Sequence, residues 1–301
     1  MASSILTEEL GPRGRRRVAI ATAASLVLLA VFAWFAIRQL ADQGQLDWEL
    51  WQPFIEARSW TFLLEGLVGT IQAAATAMVF VVAFGFLVAL GRLSRTAPVR
   101  WLSGTYVEVF RSIPLLLLIF AVFFGVQNFV DLGIFWSLVV ALTLYNSAVL
   151  AEIFRAGILS LEHGQTEAAQ AIGLTYWPMM RIVILPQAVR RMIPAIVAQL
   201  ATVTKDVSLG FVISFTEFVR KGQSFAQNEP RNNLQSYFMI GLVYFVLIWM
   251  LSRLARRLEV RQRKRYGAGK MVIGGGLEDL EALANEAEMD ARVASLSLSR
   301  A

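Results

Sequence analysis

The sequence lacks cysteine altogether and has a single histidine, His163, in 301 residues. The absence of cysteine excludes disulfide bonds, thiolate metal sites and iron–sulfur clusters. The histidine lies in a polar stretch beside Gly164, and a metal site needs several ligands, so we expect no metal on this chain. No Ser/His/Asp set for nucleophilic catalysis is evident either, and the chain is therefore expected to be non-catalytic.

Charged residues are also scarce, at 17% of the chain, whereas 56% of the residues are hydrophobic and the mean hydropathy is +0.57. Soluble domains contain about 25% charged residues, so this composition indicates a protein of the lipid bilayer. The net charge of +6 is compatible with nucleic-acid binding, but the basic residues cluster beside apolar runs, at 13–17, 92–100 and 253–265. The positive-inside rule accounts for that placement, so no nucleic-acid partner is expected.

Six apolar runs approach or exceed the length of helix, about 20 residues, that crosses a bilayer. They predict an all-α polytopic membrane protein with about six transmembrane helices and both termini in the cytoplasm. The first run is too long for a signal-peptide core and is interpreted as an uncleaved span. The runs cover residues 18–37, 62–90, 113–126, 132–150, 193–215 and 236–250.

The fifth run carries Lys205 and Asp206 in its middle. A charge at the centre of a lipid-facing helix costs about 2.5–3.5 kcal/mol, so both side chains should face protein or water. One interpretation is a bent or broken helix beside a transport pathway. The other is a span that ends at Thr204, with 207–218 as a short segment at the outer membrane face. The sequence leaves both interpretations open.

The segment 164–194, between the fourth and fifth runs, is too polar to lie in lipid. It begins with alanines such as Ala168, which form helix readily and let another protein approach the backbone closely. Gly173 can adopt the left-handed conformation that ends a helix, and a second helix can then run from Leu174 to Leu185. Pro186 lacks an amide hydrogen, so we expect it in the first turn of the next span. The segment is therefore either a docking loop, which another protein contacts, or an ordinary connector between spans.

No phosphate-binding loop accompanies this segment. The nearest approach is Gly-Ala-Gly-Lys at 267–270, where Lys264 replaces the first glycine of the motif and Met271 replaces the magnesium-binding serine or threonine. We therefore expect no cofactor on this chain, and a membrane pump that contained it would need a partner ATPase to bind ATP and Mg²⁺.

The docking loop, with Glu-Ala-Ala at 167–169, Gly173 and Val-Ile-Leu-Pro at 183–186, resembles the EAA loop of ABC importer permeases. Four further elements resemble permease subunits for polar amino acids, and three N-terminal elements are similar to glutamate-uptake permeases of actinobacteria. The four are GLVGTIQAAA at 66–75, YVEVFRSIPLLL at 106–117, LYNSAVLAEIFRAGI at 144–158 and KDVSLGFVI at 205–213. The three are GPRGRRR at 11–17, GQLD at 44–47 and WQPFIEARSW at 51–60.

This resemblance implies a type I ABC importer permease fold with a cytoplasmic coupling loop that docks on a dimer of ATPase subunits. It also implies a bacterial cell membrane, a sibling permease subunit in a heterodimer, an extracellular solute-binding protein and a polar amino-acid substrate, L-glutamate first. The ATPase-coupling residues carried over are Glu167, Ala168, Ala169, Gly173, Leu185 and Pro186.

These assignments divide the chain into three parts. Residues 1–61 form a cytoplasmic arm, the first span and an external loop. Residues 62–256 form the permease transmembrane domain, with the coupling loop at 159–186. Residues 257–301 form a basic and then acidic cytoplasmic tail.

Five polar residues at or within the spans are candidates for the substrate pathway: Arg111, Asn146, Glu152, Lys205 and Asp206. An anionic substrate favours Arg111 and Lys205, which can donate charge-assisted hydrogen bonds. Alternatively, Arg111 and Glu152 are anchors at the membrane interface, and Asn146 holds helices together through hydrogen bonds of about 0.6 kcal/mol.

Two rival functions are considered. A secondary amino-acid transporter driven by an ion gradient needs no docking loop, and its halves should repeat, but the sequence shows no internal repeat. A membrane assembly factor would use the loop only as a scaffold. A bulky charge at Gly173 separates these functions, because it should abolish ATP-coupled import while membrane insertion persists.

Overall fold

The computed structural model describes residues 11–126, 129–161, 163–228 and 230–261. Within these ranges the chain is almost entirely helical and contains no β-strand, which confirms the all-α prediction. Ten α-helices follow one another along the described chain: α1 (Pro12–Asp42), α2 (Ala57–Arg92), α3 (Ala97–Ser112), α4 (Leu115–Phe120), α5 (Gly133–Leu159), α6 (His163–Ala171), α7 (Tyr176–Met179), α8 (Leu185–Val207), α9 (Phe218–Asn228) and α10 (Asn233–Arg261).

Five short helical turns of other geometry join or extend these helices within the described residues. Three are 3-10 turns, at Trp48–Phe54, Ser208–Ile213 and Pro230–Asn232, and two are π-helical turns, at Ala121–Val126 and Met180–Ile184.

Five helical stretches are long and apolar enough to cross a membrane, and a sixth is obtained if α3 and the stretch Leu115–Val126 form one bent span. The helix axis bends by 103° between the two parts of this span. Pro114 explains the bend, since α3 ends at Ser112 and Ile113 has the extended backbone, with ψ of 127°, that residues before proline prefer. The prediction of about six transmembrane helices is confirmed.

The fifth predicted span continues as α-helix through Lys205 and Asp206 and does not end at Thr204. After Val207 the helix narrows to the 3-10 turn Ser208–Ile213, and the chain then reverses at Ser214, whose φ is 61°. Both charged residues therefore lie in the last turn of a regular helix, directly before its geometry changes.

The described chain divides into two compact units. The first contains the residues up to Phe62 together with Gln223–Met239. Within it, the ring of Trp51 packs edge-on against Phe238 with centroids 5.7 Å apart. The apolar length of α1 is exposed, as expected of a helix whose surroundings are lipid.

The second unit contains Leu63–Gly222 and resumes at Ile240. α5 and α8 pack along each other at its centre. The side chain of Met192 in α8 packs against Gly157 of α5, in the space that a Cβ there would need. The largest fully buried side chains of α5 are Leu138, Leu142, Leu150 and Phe154.

Some predicted features lie outside the described residues. These are the first ten residues of the N-terminal arm, most of the C-terminal tail and, within that tail, the incomplete phosphate-loop sequence at 267–270. The three-part division of the chain stays a prediction.

Candidate functional site

The turn at Gly173 has the left-handed backbone that its sequence predicts, with φ of +81°. α6 ends there in a pair of hydrogen bonds: the Gly173 amide donates to the Gln170 carbonyl at 2.9 Å, and the Leu174 amide donates to the Ala169 carbonyl at 3.0 Å. This is the Schellman arrangement, in which glycine avoids the strain of a side chain at positive φ. A Cβ at Gly173 would meet nothing within 4 Å, so a substitution there acts through the backbone and through whatever docks on the turn.

α6 presents two different faces. Glu167 and Ala168 are exposed, whereas Ala169 is 3% exposed and packs into the hydrophobic core. Ala169, one of the six residues nominated for ATPase coupling, therefore anchors α6 to the core. Glu167, Ala168 and Gly173 are accessible to a partner protein.

The second half of the docking loop differs from its prediction. Helix begins at Tyr176, not Leu174, and runs without interruption from α7 through the π-helical turn Met180–Ile184 into α8. Pro186, which is exposed, is the second residue of α8, but it lies within the continuous helical stretch Tyr176–Ile213 and not in the first turn of that stretch, where it was predicted. Leu185 is half-buried. In a π turn each amide bonds to the carbonyl five residues back, one residue further than in an α turn. The resulting wider turn gives room for the backbone that precedes Pro186.

The three most exposed large apolar side chains of the docking segment are Ile172 at 76%, Trp177 at 68% and Ile182 at 66%. Sequence reasoning did not select them, although an aromatic residue in a polar loop is a recognisable signal of a contact surface. They extend the exposed surface around Gly173 along the chain in both directions.

The docking segment is also attached to the end of α2. The Tyr176 hydroxyl donates a hydrogen bond to the Leu93 carbonyl at 3.3 Å, and the Arg95 guanidinium lies over the Tyr176 ring at 4.6 Å. These contacts join positions 83 residues apart and had no signal in the sequence.

A buried polar cluster lies between α5 and α8. The Gln199 side-chain amide donates to Asn146 Oδ1 at 2.8 Å, and the Asn146 amide donates to Asp206 Oδ2 at 3.2 Å. The sequence nominated Asn146 and Asp206, and the structure brings them together. Gln199 was missed, although it precedes Asp206 by two helical turns and so shares its face of α8.

Lys205 points away from this cluster and lines a cavity of about 600 Å³ between the end of α8 and α10. Its lining includes a second cation, three hydroxyl groups and three aromatic side chains, one of which, Tyr244, also supplies a hydroxyl, and no carboxylate among the described residues. The lining residues besides Lys205 are Ser208, Gly241, Tyr244, Phe245, Ile248, Trp249, Ser252 and Arg256.

The remaining two pathway candidates lie elsewhere. Glu152 forms an ion pair with Arg92 of α2 and a second with Arg155, whose Nε is 3.1 Å from a Glu152 oxygen. Arg111 is exposed near the end of α3. Within the described residues, neither forms a hydrogen bond or ion pair with the Asn146–Asp206 cluster.

Glu217, which sequence reasoning passed over, is a fully buried carboxylate between the 3-10 turn after α8 and the start of α9. It accepts hydrogen bonds from the Val219 and Arg220 amides at 2.8 and 2.7 Å and from the Tyr244 hydroxyl at 3.1 Å. Burial raises the pKa of Glu217 from 4.5 to about 7, against the opposing effect of these hydrogen bonds.

Comparison with known proteins adds to this geometry. The family model described as "Binding-protein-dependent transport system inner membrane component" matches residues 81–264. The chain is 39% identical over 243 residues to the glutamate transport system permease protein GluD of Corynebacterium glutamicum, covering 78% of this chain and 87% of that protein. It is 35% identical over 226 residues to the glutamate/aspartate import permease protein GltK of Escherichia coli O6:H1, covering 72% and 98%.

Among solved structures, the crystal structure of an amino acid ABC transporter with histidines resembles this fold with a TM-score of 0.64 and 31% sequence identity. The match covers 68% of this chain and 95% of that chain.

Proposed function

Because the chain belongs to the family of binding-protein-dependent transport system inner membrane components, we propose that it is the permease subunit of an ATP-driven importer for a polar amino acid, L-glutamate before others. The 39% identity to a glutamate permease over most of the chain carries this proposal. The protein is a multi-pass membrane protein that works with a binding protein and an ATPase.

The charge of the cavity beside Lys205 also supports an anionic substrate. In the part of the chain that the structure describes, the cavity beside Lys205 is lined by two cationic side chains and no carboxylate, which favours an anionic solute over a cationic one. The Ser252 hydroxyl adds a donor that can meet a carboxylate in the cavity. The hydroxyl groups of Ser208 and Tyr244 already donate to the Lys205 carbonyl and to Glu217.

ATP hydrolysis is assigned to partner subunits, with ATP and Mg²⁺ bound there and the chain itself non-catalytic. The exposed face of α6, with Glu167 and Ala168, and the turn at Gly173 form the proposed contact with a dimer of ATPase subunits. A sibling permease completes a heterodimer, and an extracellular solute-binding protein delivers the substrate. Both termini and the docking segment lie in the cytoplasm of the bacterial cell, and the turn at 214–217 lies toward the outside.

The five pathway candidates take different roles in this proposal. Lys205 contacts the substrate, and the Asn146–Asp206 pair with Gln199 holds α8 in register beside it. Glu152, neutralised by Arg92 and Arg155, secures α2 to α5 more than it meets substrate. Arg111 stays a candidate for the cytoplasmic mouth of the pathway.

Uptake of labelled glutamate by a strain that lacks this chain tests the proposal. The strain is complemented with wild type, Gly173→Asp or Gly11→Asp at matched abundance; Gly11 is an exposed glycine before α1 that also has open space around it. Wild type and Gly11→Asp should restore uptake, and Gly173→Asp should not. Restoration by Gly173→Asp would instead favour a secondary transporter. Failure of wild type to restore uptake would reject glutamate.

A further inference from the structure

Two contacts fix the docking segment to the end of α2, and together they form what we call the α2 latch: Tyr176 with Leu93 and Arg95. Leu93 directly follows the last residue of α2, where the final carbonyl groups of a helix have no partner inside the helix. The Tyr176 hydroxyl supplies one such partner. The Arg95 guanidinium makes a second contact, a cation–π interaction with the face of the Tyr176 ring.

A second attachment reaches the same end of α2 from α5. Arg92, the last residue of α2, pairs with Glu152 of α5, which Arg155 also contacts. α5 leads into the docking segment and α7 belongs to it, so the end of α2 is held from both sides of that segment.

The other half of α2 is bound just as closely, to the turn that follows α8. A Cβ at Gly69 would lie 2.5 Å from the Thr216 carbonyl oxygen, and one at Gly66 would lie 2.9 Å from the Glu217 carbonyl oxygen. The Thr70 hydroxyl oxygen accepts a hydrogen bond from the Phe218 amide at 3.1 Å. About 35 Å of helix, at 1.5 Å per residue, separates this contact from the latch.

We propose that α2 is a transmission helix, and that Tyr176 is the positioning residue through which the docking segment moves it. The proposal rests on the proposed function, in which ATPase closure displaces the docking segment. The covalent chain passes that displacement to α5 and α8. The latch passes it also to α2, which carries it as a rigid element to the turn at 216–218.

The test uses the complete transporter, with ATPase, sibling permease and binding protein, reconstituted in liposomes. Tyr176→Phe removes the hydroxyl and Arg95→Met removes the cation. Each should lower the glutamate moved per ATP hydrolysed by up to roughly fivefold, the effect of one ordinary hydrogen bond or of one exposed cation–π contact, while complex assembly is unchanged. Arg95→Lys, which keeps the charge, should restore most of the ratio. Tyr237→Phe, at an exposed tyrosine of α10, is the matched control and should match wild type.

A covalent version of the latch guards against a variant that fails to assemble. The chain has no cysteine, so a short bismaleimide joins Arg95→Cys and Tyr176→Cys selectively within it. Joining the two positions should restore the transport ratio that the unjoined pair has lost. The transmission role is overturned if Tyr176→Phe and Arg95→Met have the transport ratio of wild type, or if joining the two cysteines abolishes transport. In both cases, glutamate transport by the wild-type complex still supports the proposed function. A wild-type complex that moves no glutamate on ATP overturns both.

Discussion

Gly69 of α2 and Thr216, in the turn after α8, are in backbone contact: a Cβ added at position 69 would lie 2.5 Å from the Thr216 carbonyl oxygen. Real Cβ atoms essentially never approach a backbone oxygen so closely, and neither partner is the end of a flexible side chain. Helix α2 and the turn after α8 therefore meet at a position where only a hydrogen atom fits, as small residues do at close backbone contacts in lipid.

Gly69→Ala should accordingly destabilise the protein by about 1–3 kcal/mol, the usual cost of overpacking. The measurement is the thermal unfolding midpoint of the purified protein in detergent. Gly104→Ala is the control, because its Cβ meets nothing within 4 Å and alanine favours helix by about 1 kcal/mol over glycine. The contact is refuted if both variants unfold at the same temperature.

Glu217 should make stability depend on pH near neutrality. Its pKa is raised by burial from 4.5 to about 7, so the folded state binds the proton more tightly than the unfolded state does. The associated stability is fully present below pH 4.5 and is lost as the pH rises through 7, by an amount on the order of 3 kcal/mol.

Glu217→Gln keeps the shape and cannot ionise, so its unfolding midpoint should change less between pH 5 and about 8 than that of wild type. The groups that face Glu217 are the Tyr244 hydroxyl and the amides of Val219 and Arg220. Tyr244→Phe removes a hydrogen bond to the ionised form and should raise the pKa of Glu217 further. Equal pH profiles for wild type and Glu217→Gln would contradict the assignment.

How far the sequence predicts this molecule is visible in α8. Hydropathy located its span, and the charge cost in lipid identified Lys205 and Asp206 as residues that must face protein or water. Hydropathy could not decide whether the helix continues past them, because that depends on a partner for Asp206 inside the protein. The partner is the buried Asn146, whose side-chain amide donates a hydrogen bond to Asp206. Partners 60 residues apart in the chain leave no local signal.

The docking loop shows the same division. Glycine at 173 predicted a left-handed turn because that conformation is a property of one residue, and the structure has it. The contact of Tyr176 with Leu93 depends on how two distant helices pack, and nothing near either residue predicts it. Local backbone rules were therefore sufficient for the turn and insufficient for its attachment.

The Asn146–Gln199 hydrogen bond should stabilise the packing of α5 against α8. Replacing Gln199 with Leu leaves the buried Asn146 oxygen without its donor, and Asn146→Leu has the converse effect. A double-mutant cycle on thermal stability should give a coupling of about 0.6–1.7 kcal/mol, between the average and the largest value measured for hydrogen bonds between membrane helices. Additive single effects, with no coupling, would mean that the two side chains act independently. Ser252→Ala lies outside the cluster, so its effect on stability should add to that of Gln199→Leu or Asn146→Leu without coupling.

Lys205 should distinguish an anionic substrate from a neutral one. If its ammonium group donates a charge-assisted hydrogen bond to the side-chain carboxylate of glutamate, Lys205→Met loses about 1.5–3 kcal/mol for glutamate. Initial glutamate uptake should then fall at least about tenfold, whereas uptake of glutamine, if the transporter accepts it, should fall less. Lys205→Arg keeps the charge and should retain most glutamate uptake, and Ser252→Ala in the same cavity should affect both substrates alike. An equal fall for both substrates in Lys205→Met would place the lysine against the α-carboxylate or in the helix packing. In either case the preference for glutamate would have to be set by the binding protein or by the sibling permease.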